Sequence, residues 1–272
     1  MRRVLDLRAL ANMPAADWAR YVATGFGVIV LLLPMLAIII SSFGETAYAR
    51  FPPQGFTLKW YGAFNEVPNL IPSLLYSLKL AVIVTVISVS LALMSAIGLT
   101  LRIIPGRAFV TSFLMLPLVL PSIVVGLALL LFFSTVWSAD YFTGLIIGHL
   151  VISFPYALRS ILPALETFDR NLWAASRTLG ANPWQAFRTI LAPLAMPSVL
   201  SAALFSFLIS FDNYNISAFL QDPLTPPLPV ILYNQAEQAL SPVLMAVSTV
   251  LILFSVVLVA LFGKYLVHKS ER

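Results

Sequence analysis

The chain has 272 residues, 60% of them hydrophobic and only 10% charged, against roughly a quarter charged in an ordinary soluble domain. That balance excludes a water-soluble fold, and the absence of cysteine excludes disulfides, thiolate metal sites and cysteine nucleophiles. The net charge of +5 would suit nucleic acid, but its placement along the chain points to a membrane instead, and no nucleic-acid partner is expected.

Residues 1–21 form a basic N-terminal segment holding Arg2, Arg3, Arg8 and Arg20, followed by an apolar block from Val22 to Phe43. A block of full span length after a charged start is a retained helix rather than a cleaved signal peptide. Further blocks free of Asp, Glu, Lys and Arg run Leu80 to Leu101, Ala108 to Ala139, Tyr141 to Leu158, Thr189 to Phe211 and Gln238 to Gly263. A helix crosses a bilayer core in about 20 residues, so each block predicts one crossing. The strict two-residue alternation of an outer-membrane barrel is missing. With the N-terminus inside, thirteen of the sixteen Lys and Arg residues fall on the cytoplasmic side, with Arg50 and Lys59 outside and Lys79 at an outer helix end. The reverse orientation would invert the bias that sets topology. The expectation is an all-α, multi-pass membrane protein: six transmembrane helices over 22–267, both termini cytoplasmic, and a short cytoplasmic tail over 268–272.

Among the connections, 44–72 is a long outer loop with Trp60 and Tyr61, and 212–242 is an outer stretch that Pro223, Pro226, Pro227 and Pro229 keep from one continuous helix. The long cytoplasmic loop is 162–193. Within it, Asp169 can cap a first short helix whose Leu172, Ala175, Ser176 and Leu179 share one face at helical spacing. Gly180 stands where a left-handed residue ends a helix. Asn182, Pro183 and Gln185 then predict a second short helix opened by a capping box. Two helices joined by a glycine turn make a rigid knob that can transmit force to the spans beside it.

These residues resemble the loop of permeases of binding-protein-dependent ABC importers. That family carries E-A-A-x-x-x-G, nine residues, then I-x-L-P. Here Ala174, Ala175, Ser176, Arg177, Thr178, Leu179 and Gly180 are followed after nine residues by Ile190, Leu191, Ala192 and Pro193. The spacing is intact, but Ala174 replaces the usual Glu and Ala192 the usual Leu. Length, loop and the later Ser210-Phe211-Asp212-Asn213 and Leu228-Pro229-Val230 segments resemble the second permease of spermidine/putrescine importers. Permeases for ferric iron and aminoethylphosphonate share much of the scaffold. The resemblance implies a type I, MetI-like fold in the bacterial inner membrane and half of a translocation pathway for a small solute. It also implies a second homologous permease, two ATPase subunits that carry ATP and magnesium, and a periplasmic binding protein that delivers the solute. The chain itself has no G-x-x-x-x-G-K-[ST] phosphate loop, no nucleophile paired with a base and no metal cluster, so it is expected to be neither an enzyme nor a holder of cofactors.

Asp212 is the sharpest candidate for contact with solute, because a carboxylate at the end of an apolar block is costly and supplies a counter-charge for a cation. Asn213 and Tyr214 beside it add hydrogen-bonding capacity, though all three also suit an ordinary helix end. His149, in the fourth block, can relay protons or bond to a neighbour. Trp173 and Trp184 flank the glycine turn and can face headgroups or a partner. A transporter driven by an ion gradient would predict two related halves and ionisable residues near the midplane, and neither is evident.

Overall fold

A computed structural model describes residues 15–48, 51–101 and 104–270. Arg2, Arg3, Arg8, Arg50, Arg102 and Arg272 of the charge pattern lie outside the described residues. The chain divides into two compact units, residues 1–64 with 240–252, and residues 65–239 with 253–272.

The first unit is dominated by α1 (Ala15–Ser41), an apolar helix with none of its most hydrophobic stretch buried by the chain. Such a surface requires lipid or another membrane helix over it. The loop after it folds back on the end of α1. Ser42 shares a 2.7 Å hydrogen bond with the Tyr61 hydroxyl, and Trp60 Nε1 donates to the Gly44 carbonyl at 2.7 Å. Phe43 and Phe56 stack at 5.3 Å.

The second unit is built on three long helices. They are α2 (Leu70–Leu101), α5 (Tyr141–Glu166) and α7 (Pro183–Phe211), and each packs against the other two. Small residues allow this approach: Ala92, Ala96, Ala157, Ala195 and Ala202 are buried at the crossings, as close helix packing in a bilayer requires. Leu158, Ile161, Leu165 and Leu191 fill the space around them. Two boundaries differ from expectation. α2 begins ten residues before its apolar block, and α5 runs through Pro155 and Pro163 to Glu166, five residues into the expected loop.

The block from Ala108 to Ala139 is not one straight crossing. It forms α3 (Arg107–Met115) with a single tight turn, Leu116–Leu118, then α4 (Ser122–Thr135), and the two arms meet at 94°. Pro117 and Pro121 remove two backbone donors at the break, so no continuous run of helical hydrogen bonds can cross it. Among the described residues, five helices are long and apolar enough to cross a membrane, and the bent pair makes up to six. Beyond α7 come α8 (Tyr214–Leu220), α9 (Leu228–Gln238) and α10 (Pro242–Ser270). Pro229 sits in the first turn of α9, where a missing N–H costs nothing, and Ser77 Oγ of α2 accepts the Leu228 N–H at 2.8 Å. Phe254 of α10 packs on Phe207 and Phe211 of α7 with centroids 6.4 and 5.9 Å away.

Candidate functional site

Two features predicted from the sequence sit at opposite ends of α7. At its start lies the loop expected on the cytoplasmic side. Asp169 accepts the Asn171 N–H at 2.9 Å and caps α6 (Arg170–Thr178). That helix ends in a complete paired bond pattern, with the Gly180 N–H on the Arg177 carbonyl at 3.1 Å and the Ala181 N–H on the Ser176 carbonyl at 3.0 Å. Gly180 has φ +89°, and a Cβ added to it would meet nothing within 4 Å. Its requirement for glycine is therefore conformational, not steric. Asn182 and Gln185 exchange bonds of 2.8 Å each way, the expected capping box.

The second short helix does not stop, contrary to expectation. From Pro183 it continues into the membrane as α7, through a wider π turn at Phe187–Leu191. Pro193 accounts for the widening: it has no N–H, and in a regular helix its ring would strike the carbonyl four residues back, at Thr189. Thr189 Oγ1 donates to the Gln185 carbonyl at 2.7 Å within this turn. The knob is thus one short helix hinged by Gly180 to the end of a spanning helix.

Leu172, Ala175 and Leu179 of the expected face of α6 are turned outward, and Ser176 is not. Leu172 is 47% exposed and Leu179 88%, with Ala174, Ala175 and Arg177 exposed as well. The side that packs inward holds Trp173 and Ser176, whose Oγ donates to the Trp173 carbonyl at 2.8 Å. Trp173 rests on the buried cluster of Leu162, Leu165 and Leu191. Trp184 stacks on Phe187 at 5.4 Å and is 65% exposed. The Arg177 guanidinium donates to the Ala181 carbonyl across the turn. Ile190 is half-buried and Pro193 exposed. Arg107 and Glu166 pair between the start of α3 and the end of α5.

At the far end of α7, about 28 Å from Pro193 by helical rise, the chain turns at Asp212 and Asn213. Asp212 is exposed. Asn213 Oδ1 accepts the Ile216 N–H at 2.8 Å and caps α8, so that oxygen is committed to the backbone. α8 wedges between α4 and α5, and two glycines make room for it. A Cβ at Gly126 would meet the Phe219 ring at 2.8 Å and the Asn215 carbonyl at 3.1 Å; one at Gly148 would meet Ile216 at 2.6 Å and Leu220 at 2.7 Å. Asn215 Nδ2 donates to Ser122 Oγ at 2.7 Å, tying α8 to the bend of the broken span. A cavity of about 190 Å³ opens there, with Ser122, Tyr156 and Asn213 as its polar lining. Tyr214 stacks on Tyr233 of α9 at 4.2 Å. Buried His149 bonds to Ser210 and Ser217, the neighbour-bonded alternative of the sequence reading. Lys79 lies 4.8 Å over the Phe142 ring. Ser122 and Tyr233 escaped the sequence reading because single polar residues in apolar stretches carry no periodic signal.

The sequence family described as "binding-protein-dependent transport system inner membrane component" matches residues 88–272, more than half of the chain. The spermidine/putrescine transport system permease protein PotC of Escherichia coli K12 is 29% identical over 84% of this chain and 86% of its own. The putrescine permease PotI of the same strain is 28% identical over 96% and 95%. A PotC homologue from Mycoplasma pneumoniae is 31% identical over 91% and 92%. Among solved structures, a bacterial ABC transporter that imports alginate superposes with TM-score 0.64 at 16% identity over 93% of this chain and 98% of that one. An amino acid ABC transporter gives TM-score 0.56 at 19% identity over 78% and 100%. With the loop spacing, the spanning helices and the fold in agreement, the chain belongs to the inner-membrane permease family of binding-protein-dependent transport systems.

Proposed function

We propose that this permease forms one half of an import path for a polyamine, together with a second homologous permease. Two ATPase subunits holding ATP and magnesium would drive it, and a periplasmic binding protein would deliver the solute. The likeness to spermidine/putrescine permeases, 28–31% identical over most of the chain, is the observation that carries the substrate class. The chemistry of the outer turn supports it, because the exposed Asp212 carboxylate offers a counter-charge where Asn213 and Tyr214 line the same bend. At the other end, the outward Leu172, Ala175 and Leu179 give an apolar socket partner a rigid surface, and Ala174 leaves it without the family's usual carboxylate. Closure of the ATPase pair would push this knob, and α7 would carry the displacement directly to the Asp212 turn.

The test is uptake of labelled spermidine and putrescine into vesicles holding the whole transporter. Asp212→Asn removes one charge-assisted contact and is expected to raise the half-saturating concentration about tenfold. Unchanged affinity returns Asp212 to an ordinary helix end. Saturable uptake of ferric iron or aminoethylphosphonate with no polyamine uptake overturns the substrate class.

A further inference from the structure

His149 is 1% exposed and both of its ring nitrogens are engaged. Nδ1 lies 2.9 Å from Ser210 Oγ, in the last turn of α7, and Nε2 lies 3.1 Å from Ser217 Oγ, in α8. Between those two serines run Phe211, Asp212, Asn213 and the first residues of α8. One side chain on α5 therefore holds both arms of the turn that presents Asp212. A neutral imidazole offers one donor and one acceptor, and a hydroxyl can take either role, so both bonds are satisfied in either tautomer. An apolar residue of similar size would fill the space but could not bridge the arms. Other supports of α8, its packing over Gly126 and Gly148, the Asn215–Ser122 bond and the Tyr214–Tyr233 stack, hold it to α4, α5 and α9.

We infer that His149 is a positioning residue, a two-ended clamp between α7 and α8 that sets the direction in which Asp212 faces. The inference rests on the proposed reading of Asp212 as a solute contact, but its test does not use solute. The chain has no cysteine, so Asp212→Cys places a unique thiol in it. Its modification by a membrane-impermeant maleimide is timed in membranes containing the assembled transporter, with the label read on this chain alone. Breaking two buried bonds by His149→Leu is expected to change the labelling rate about tenfold, whereas His149→Gln, which keeps a donor and an acceptor, stays within about twofold. The Ser210→Ala, Ser217→Ala double variant should reproduce the leucine result, and adding His149→Leu to it should change nothing more. Should His149→Leu fail to reach the membrane, the serine double variant decides, since it removes the same bonds and only two oxygens. An unchanged rate in that double variant overturns the clamp. A shifted rate alongside normal transport by Asp212→Asn would retain the clamp and reject only the counter-charge role.

Discussion

Gly180 separates two physical effects that the sequence pattern merges. A side chain there has open space around it, so size alone costs nothing, and the penalty comes from φ +89°. For an ordinary L-residue that penalty is about 1–2 kcal/mol, less for asparagine, which visits this region readily. Gly180→Asn should therefore retain uptake and ATPase co-purification, while Gly180→Val should lose most of both with membrane abundance unchanged. Equal, normal co-purification by the two variants would show that the left-handed turn is dispensable. Asn182→Ala removes one half of the capping box at a cost of about 1 kcal/mol. It should give a partial version of the valine defect, measured as faster proteolysis at the exposed knob.

At the scale of elements, the short helix α8 depends on two glycines that no periodic pattern marks. Gly126 and Gly148 read in the sequence only as glycines inside apolar blocks, consistent with kinks. The structure gives them a different duty, since each is a groove floor under α8. Gly148→Val places methyls where Ile216 and Leu220 already stand, and overpacking of this kind costs about 1–3 kcal/mol. The variant should insert but lose co-purifying partners and uptake, whereas Gly98→Ala on α2, with nothing within 4 Å, should match the parent. Normal uptake by Gly148→Val would contradict the wedge. The contrast explains what was legible beforehand. Caps and turns at Asp169, Gly180, Asn182 and Gln185 are local, so adjacent residues specify them fully. Pro117 and Pro121 mark a kink in the third block, but its 94° angle is not legible because hydropathy counts apolar length and ignores direction. The spacing of Leu172, Ala175 and Leu179 marks a shared face but not what covers it, for a related reason. Apolar residues at helical spacing mark a face that will be covered, and a subunit surface is covered by something outside the chain.

For the whole molecule, the exposure of α1 and of α6 marks two unpaired surfaces, one apolar along its length and one at the cytoplasmic knob. Under the proposed function, the first would face lipid or a second permease, and the second an ATPase. Between the knob and the Asp212 turn there is a single helix, α7, packed against α2 and α5 over Ala195 and Ala202. The most direct measurement is transport by the purified complex in proteoliposomes, with labelled spermidine presented on its binding protein and ATP enclosed on the ATPase side. Uptake should require hydrolysable ATP, persist when a protonophore collapses the ion gradients, and vanish with Gly180→Val. Polyamine uptake by this chain alone, driven by an ion gradient and indifferent to ATP, would contradict it.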